Sequence, residues 1–89
     1  MADILRMPPQ NIEAETAVLG ALMLDANAVY RVVDVLKPQH FYRESNRLIY
    51  EAIVELAEKH EPADVISVAN RLKEKNKLET IGGKSYLAE

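Results

Sequence analysis

Apolar residues recur along the chain at the three- and four-residue spacing of amphipathic helices. The longest stripe predicts a helix over about residues 44–59. Its members are Leu48, Ile49, Ala52, Ile53, Leu56 and Ala57. A second stripe, made of Val29, Val32, Val33 and Leu36, predicts a helix over about residues 26–36 with Asp25 as its N-cap. The valines leave a strand as the alternative, but strict alternation is absent and Asp34 lies inside the run, which favours the helix.

Two further helices are predicted to begin at residues whose side chains cap helix N-termini. Asn11 precedes a predicted helix over about residues 12–23, and Asp64 precedes one over about residues 65–75. Their apolar stripes contain Val18, Leu19, Leu22 and Met23 in the first helix and Val65, Val68, Ala69 and Leu72 in the second. Gly20 lies inside the first helix, where glycine costs up to about 1 kcal/mol relative to alanine. Its small neighbours therefore predict the close approach of another helix.

Prolines, glycines and one asparagine mark the predicted breaks between helices. Pro38 is predicted to end the valine-rich helix, and Asn76 to end a later helix in the left-handed conformation. Phe41, the only phenylalanine, is predicted to enter the core from the loop after Pro38. The pair Gly82-Gly83 predicts a turn into a last helix that begins near Lys84.

The predicted fold is all-α, a small orthogonal helical bundle of about five to six helices. Pro8-Pro9 predicts a flexible N-terminal arm over residues 1–10, so the helical domain occupies residues 11–89. The wet face of the long helix predicts two i,i+4 ion pairs, Arg47 with Glu51 and Glu55 with Lys59.

Composition narrows the class of protein. The chain has 89 residues, 48% of them hydrophobic and 28% charged, which predicts one small folded domain. It contains no cysteine, so disulfides and thiolate metal sites are excluded. The first residues lack the features of a signal peptide, and no apolar stretch reaches the length of about 20 residues that spans a membrane. These features predict a cytoplasmic protein, and the net charge of -3 argues against a nucleic-acid binder.

Gly83-Lys84-Ser85 matches the end of a phosphate-binding loop. Leu78 stands where that loop needs its first glycine, and the charged residues 73–77 do not suit the buried strand that precedes such a loop. A Gly-Gly turn into a helix is the favoured interpretation. We therefore expect this chain to bind no ATP through this motif.

Other candidate chemistry is sparse. His40 and His60 lack metal-ligand spacing, and Glu13 and Glu15 do not share a helix face, so both glutamates are interpreted as stabilisers of the helix N-terminus. The serines, Ser45, Ser67 and Ser85, have no nearby His–Asp arrangement. No catalytic, cofactor-binding or metal-binding residue is therefore predicted, and an interaction or assembly module is favoured.

A cationic stretch remains open to two interpretations. It consists of Arg71, Lys73, Lys75 and Lys77. It is either a nucleic-acid patch or a solvated helix end where cations favour the negative pole. Glu74 interrupts it and no aromatic residue interleaves for base stacking, which favours the solvated helix end.

Four blocks in order carry a resemblance to the N-terminal domain of the bacterial replicative DNA helicase, the DnaB-type hexameric helicase. They are PPQNIEAETAVLGALMLD at 8–25, FYRESNRLIYEAI at 41–53, PADVISVANRL at 62–72 and GGKSYLAE at 82–89. The resemblance implies a collar domain that helps hold the hexameric ring, as a trimer of dimers, and that receives primase. A helicase loader is a further implied partner.

The resemblance also implies where the catalytic parts lie. In the family, ATP and magnesium are bound by a RecA-like C-terminal ATPase domain, which is absent from these 89 residues and through which single-stranded DNA is also held. The fragment is accordingly expected to be no enzyme and to carry no cofactor, although the full-length protein is an ATP-dependent hydrolase. The alternative is a stand-alone helical nucleic-acid-binding or regulatory domain, against which the net charge argues.

Overall fold

The computed structural model describes residues 11–25 and 27–87. Its elements are α1 (Ile12–Leu24), α2 (Ala28–Val32), a single 3-10 turn (Pro38–His40), α3 (Glu44–Glu58), α4 (Val65–Glu74) and α5 (Lys84–Leu87). The described part contains no strand, so the prediction of an all-α bundle is confirmed. Four helices have five residues or more, and the other two elements are single turns, against the five to six helices predicted. The predicted arm at 1–10 lies outside the described residues.

Helix α1 begins as its cap residue predicts. The Asn11 side chain accepts a hydrogen bond from the Ala14 N–H at 3.0 Å. Leu19 and Leu22 are buried, as predicted. The prediction for Gly20 is wrong within this chain, because a Cβ placed there would meet no atom within 4 Å apart from the local backbone of its own helix. No helix of the described residues packs closely on it, and Gly20 instead lies between shallow surface grooves.

Helix α2 is much shorter than predicted. It spans Ala28–Val32, and its N-cap is Asn27, which makes no side-chain capping bond. Asp25 follows α1 and donates its N–H to the Ala21 carbonyl, while its carboxylate accepts from the Asn27 N–H at 3.0 Å. The β-branched valines that follow have poor helix propensity, and the chain continues as turns after Val32. Pro38 opens the 3-10 turn rather than ending a helix.

Helix α3 is the centre of the core and contacts α1, α2, α4 and the 3-10 turn. Its predicted stripe is buried except for Leu48, which is only partly buried. Phe41 is completely buried, as predicted, and its ring centroid lies 5.3 Å from that of Tyr50. Burial raises the pKa of Tyr50, whose hydroxyl donates a 2.6 Å hydrogen bond to the Leu36 carbonyl. The aromatic pair therefore joins the loop before α3 to its middle.

The predicted boundaries of α4 and α5 are confirmed closely. The Asp64 carboxylate accepts from the Ser67 N–H at 2.8 Å, and Asn76 has a φ of 61°. Gly82 and Gly83 have φ values of 102° and 80°, a region that glycine enters without steric cost. They turn the chain into α5, which begins at Lys84 as predicted. None of the helices in the described ranges is long and apolar enough to cross a membrane.

Candidate protein-interaction surface

A buried polar corner joins α1, α3 and α5. We define it as Glu15, Asn46 and Tyr86. Glu15 is completely buried, and its carboxylate accepts hydrogen bonds from the N–H groups of Tyr42 and Arg43, which directly precede α3. The Asn46 amide also donates to Glu15, at 2.9 Å, and its oxygen accepts from the Tyr86 hydroxyl at 2.7 Å. Every polar group here has a partner, so the corner fixes three helices relative to one another.

Among the described residues, an arginine contacts the corner from outside. The Arg43 guanidinium donates to the Tyr86 hydroxyl at 3.2 Å and lies 5.5 Å from the centre of the Tyr86 ring. Arg43 is exposed, and the described donors to the Glu15 carboxylate are main-chain and amide groups at the start of α3. Sequence reasoning assigned Glu15 to the start of its own helix. The structure shows it binding the start of another helix.

One signal in the sequence could have identified Glu15. It precedes Leu19 by four residues and Leu22 by seven, so it lies on the same buried stripe of α1. A charged residue on a buried stripe needs donors nearby. Glu13, by contrast, is exposed, which agrees with the prediction that the two carboxylates face different ways.

The largest exposed apolar residues on two neighbouring helices form what we call the α1–α4 face. Leu24 is 91% exposed at the end of α1, and Ile66 is 62% exposed at the start of α4. The face consists of Ala17, Gly20, Ala21, Met23, Leu24, Val65 and Ile66. Two adjoining grooves share Gly20 and Leu24, which makes the apolar surface continuous. Contiguous exposed apolar surface of this kind marks sites of protein interaction.

A surface ion-pair cluster links α3 to α4. Glu55 accepts from Arg71 at 2.8 Å and from Lys75 at 3.0 Å, and Arg71 also pairs with Glu74 at 3.3 Å. Burial alone would raise the pKa of Glu55, but the hydrogen bonds and charges of Arg71 and Lys75 together lower it. Hydrogen bonding to Glu55 raises the pKa of Arg71. This arrangement holds the two helices side by side.

Both predicted i,i+4 ion pairs are wrong. Glu55 binds Arg71 and Lys75 instead of Lys59, and neither predicted pair occurs among the salt bridges of the described residues. The Arg47 guanidinium donates to the carbonyls of Phe41 and Tyr42, at 2.7 and 3.0 Å. These carbonyls belong to the chain that enters α3, so Arg47 secures that entry.

The cationic stretch is divided by these contacts. Arg71 and Lys75 are in ion pairs with Glu55, whereas Lys73 and Lys77 are exposed. The positive charge that this helix end offers to a polyanion is therefore smaller than the count of cations in the sequence indicates.

The histidines and the glycine-lysine-serine motif lie in or directly beside turns of the chain. His40 accepts the Lys37 N–H through Nδ1 at 2.9 Å, which closes the 3-10 turn, and His60 is exposed with a φ of 59°. Within residues 11–25 and 27–87, no group of three His, Asp or Glu side chains could hold a metal ion. No strand precedes Gly83 there, and turns lead into α5 directly. The interpretation as a Gly-Gly turn into a helix is confirmed.

Together these features define a small all-α domain with an internal polar corner and an exposed apolar face. The sequence model described as the DnaB-like helicase N terminal domain matches residues 7–89, and the chain belongs to this family. The resemblance deduced from the four sequence blocks is thereby confirmed.

Similar proteins agree with this assignment. The chain is 46% identical over 91 aligned positions to the replicative DNA helicase DnaC of Bacillus subtilis (strain 168), covering 100% of this chain and 20% of that protein. It is 45% identical to the replicative DNA helicase DnaB of Geobacillus stearothermophilus, covering 94% of this chain and 18% of that protein. The chain therefore spans about one fifth of the length of these relatives.

A solved structure shares the fold. The crystal structure of the N-terminal domain of DnaB helicase from Mycobacterium tuberculosis superposes with a TM-score of 0.86 at 40% identity. The match covers 92% of this chain and 59% of that chain.

Proposed function

We propose that this chain is the N-terminal assembly and primase-interaction domain of a hexameric replicative DNA helicase, the enzyme that unwinds duplex DNA at the replication fork with ATP hydrolysis. Family membership and identities of 40–46% to helicases of this type support the proposal. In this role the domain contributes to a ring collar and makes primosome contacts, with primase as its main partner and a helicase loader as another.

The observation that carries the proposal is the α1–α4 face. Leu24 and Ile66 expose large apolar side chains to solvent, and a partner that covered them would remove this apolar surface from water. Small residues beside them, Ala17 and Gly20, let a partner approach the main chain of α1 closely. A neighbouring subunit or primase covers this face in the assembled protein.

The same proposal assigns catalysis elsewhere. ATP, magnesium and single-stranded DNA are bound by the C-terminal ATPase domain of the full-length protein, which works in the cytoplasm. This domain contributes no catalytic or cofactor-binding residue. Calorimetric titration of this chain with Mg-ATP should accordingly give no heat of binding. Micromolar binding that Lys84→Ala abolishes would contradict this part of the proposal.

Sedimentation tests the assembly role. The chain alone should show a monomer–dimer equilibrium with a dissociation constant of about 1 μM or weaker, because one small surface gives a transient contact. The double variant Leu24→Ser/Ile66→Ser should sediment as a monomer and lose any complex with the primase C-terminal domain. Val35→Ser is the matched control, since Val35 is 49% exposed but lies outside the face. Unchanged association of the double variant would show that another surface is used.

Nucleic-acid binding is the competing function. Two of the four cations in its candidate patch are already paired with Glu55, which leaves few to release counterions from a phosphate backbone. Single-stranded DNA should therefore bind this chain weakly at physiological salt. Submicromolar binding by fluorescence anisotropy, lost on neutralising Lys73, Lys75 and Lys77, would favour the stand-alone nucleic-acid-binding domain instead.

A further inference from the structure

A second groove lies between α3 and the chain that follows α2. Val33, Pro38 and Val54 form its apolar part. Glu51 and Glu58 lie on its rim, together with Glu55. Lys37, the only cation among the described residues that line it, donates its Nζ hydrogen to the Val33 carbonyl at 3.2 Å. This α2–α3 groove shares no lining residue with the α1–α4 face.

The charge of the rim is unequally compensated. Glu55 is paired with Arg71 and Lys75 of α4. Glu51 and Glu58 have no salt-bridge partner among the side chains that the structure describes, although they follow one another along the same side of α3. Like charges at helical spacings of three and four residues destabilise a helix, so this row of glutamates does not stabilise α3 by itself. A cation supplied from outside would remove the repulsion.

We propose that the α2–α3 groove binds a basic amphipathic helix of a partner protein. The apolar side of that helix covers Val33 and Val54, and its lysines or arginines pair with Glu51 and Glu58. The charge complementarity selects this occupant, because a nucleic acid would be repelled and an uncharged helix would leave the rim unpaired. The proposal is independent of whether primase contacts the α1–α4 face.

A pair of designed peptides tests the groove. One is a helical peptide of about 15 residues, long enough to begin forming a helix in water, with leucines on one side and lysines on the other. Its control has glutamates in place of the lysines. Titrated into the ¹⁵N-labelled chain, the lysine peptide should shift the amide signals around Val33 and Val54. It should also bind about three- to tenfold more tightly than the glutamate peptide, as two exposed ion pairs allow.

Charge reversal makes the test specific. In Glu51→Lys/Glu58→Lys the preference should invert, so that the glutamate peptide binds more tightly. The control Glu44→Lys/Glu79→Lys reverses two exposed acids outside the groove and should leave the preference unchanged. Both variants change partly or fully exposed side chains, and their amide spectra report directly whether they remain folded.

Three outcomes would overturn the proposal. Peptide-induced shifts confined to Leu24 and Ile66 would place the docking site on the α1–α4 face. An unchanged peptide preference in the Glu51→Lys/Glu58→Lys variant would show that the rim glutamates do not select the peptide. Shifts at Val33 and Val54 that depend on protein concentration without peptide would identify a second copy of this chain as the occupant.

Discussion

Two carboxylates, Glu15 and Glu55, each collect several hydrogen-bond donors but in opposite surroundings. Glu15 is completely buried and is bound by two main-chain N–H groups and the Asn46 amide. The side chain of Glu55 is 33% exposed and is bound by two cations, Arg71 and Lys75. A buried charge without donors is very costly, whereas a surface charge retains water. The Glu15 site therefore requires its donors at fixed positions. The Glu55 site is only further stabilised when its donors are well placed.

The two sites also join different parts of the chain. Glu15 and Asn46 are 31 residues apart, and Tyr86 and Asn46 are 40 apart, so the buried polar corner connects both ends of the described fold. The contacts of Glu55 span only 16 and 20 residues and join α3 to the next helix. Loss of the corner should loosen α1 and α5 together. Loss of the surface cluster should affect one helix pair that apolar packing already holds.

The largest effect is expected for Glu15→Ala. This change leaves the N–H groups of Tyr42 and Arg43 and the Asn46 amide without their acceptor. A buried unsatisfied donor costs about 1–3 kcal/mol, and the Asn46 amide is buried while the two main-chain donors are partly buried, so the free energy of unfolding should fall by about 2–4 kcal/mol. Urea unfolding followed by circular dichroism measures the loss.

Glu13→Ala is the matched control, because Glu13 is exposed in the same first turn of α1. Its effect should be within about 0.5 kcal/mol, as for most surface substitutions. Equal losses for the two variants would mean that Glu15 acts only through the dipole of its own helix, and the comparison with Glu55 would fail.

A smaller effect is expected for Tyr86→Phe. The change removes the hydroxyl that donates to Asn46 and accepts from Arg43, while keeping the ring. The free energy of unfolding should fall by about 1–2 kcal/mol. Relative to wild type, hydrogen exchange should accelerate more at the main-chain amides of α5 than at those of α3. Tyr42→Phe is the control, since Tyr42 is 54% exposed. If α5 exchange stays unchanged in Tyr86→Phe, the hydroxyl does not hold this helix.

The contrast between the two carboxylates also explains what sequence reasoning could reach. The starts of α1 and α4 were predictable because Asn11 and Asp64 bond main-chain groups only three residues ahead. Asn76 was predictable for a different local reason, because asparagine tolerates the left-handed conformation that ends a helix. Features of this kind depend on residues within one turn of helix, so a short stretch of sequence is enough to predict them.

Contacts that depend on distant segments were not predictable. Glu15 was interpreted by its position in α1, but its donors begin 27 residues later. Arg47 and Glu55 were paired with helix neighbours, yet main-chain carbonyls and α4 offered them better-placed partners. The α1–α4 face was also missed, because Leu24 lay just beyond the predicted end of the first helix at residue 23, and its proximity to Ile66 arises only in the folded chain.

A modest effect is expected for Glu55→Gln. Pairs between partly exposed side chains contribute about 0.2–1 kcal/mol, so the free energy of unfolding should fall by about 0.5 kcal/mol at low salt. The loss should shrink as salt is raised, because ions screen the wild-type pairs. Glu79→Gln, in an exposed turn, is the control and should show no dependence of this kind. A salt-independent loss above about 2 kcal/mol would mean that the cluster behaves like the buried corner.

The smallest effect is the pH dependence of the same cluster. The pKa of Glu55 is lower in the folded chain than its ordinary value of 4.5, because the opposing effect of burial is outweighed by Arg71 and Lys75. The unfolded chain therefore binds the proton more readily. The contribution of Glu55 is complete above pH 4.5 and is lost as the pH falls through the lower folded value. The difference in unfolding free energy between wild type and Glu55→Gln, measured in urea at constant salt, should accordingly shrink from about pH 6 to about pH 3. A difference that stays constant over this range would show that the ion pairs do not distinguish the folded from the unfolded state.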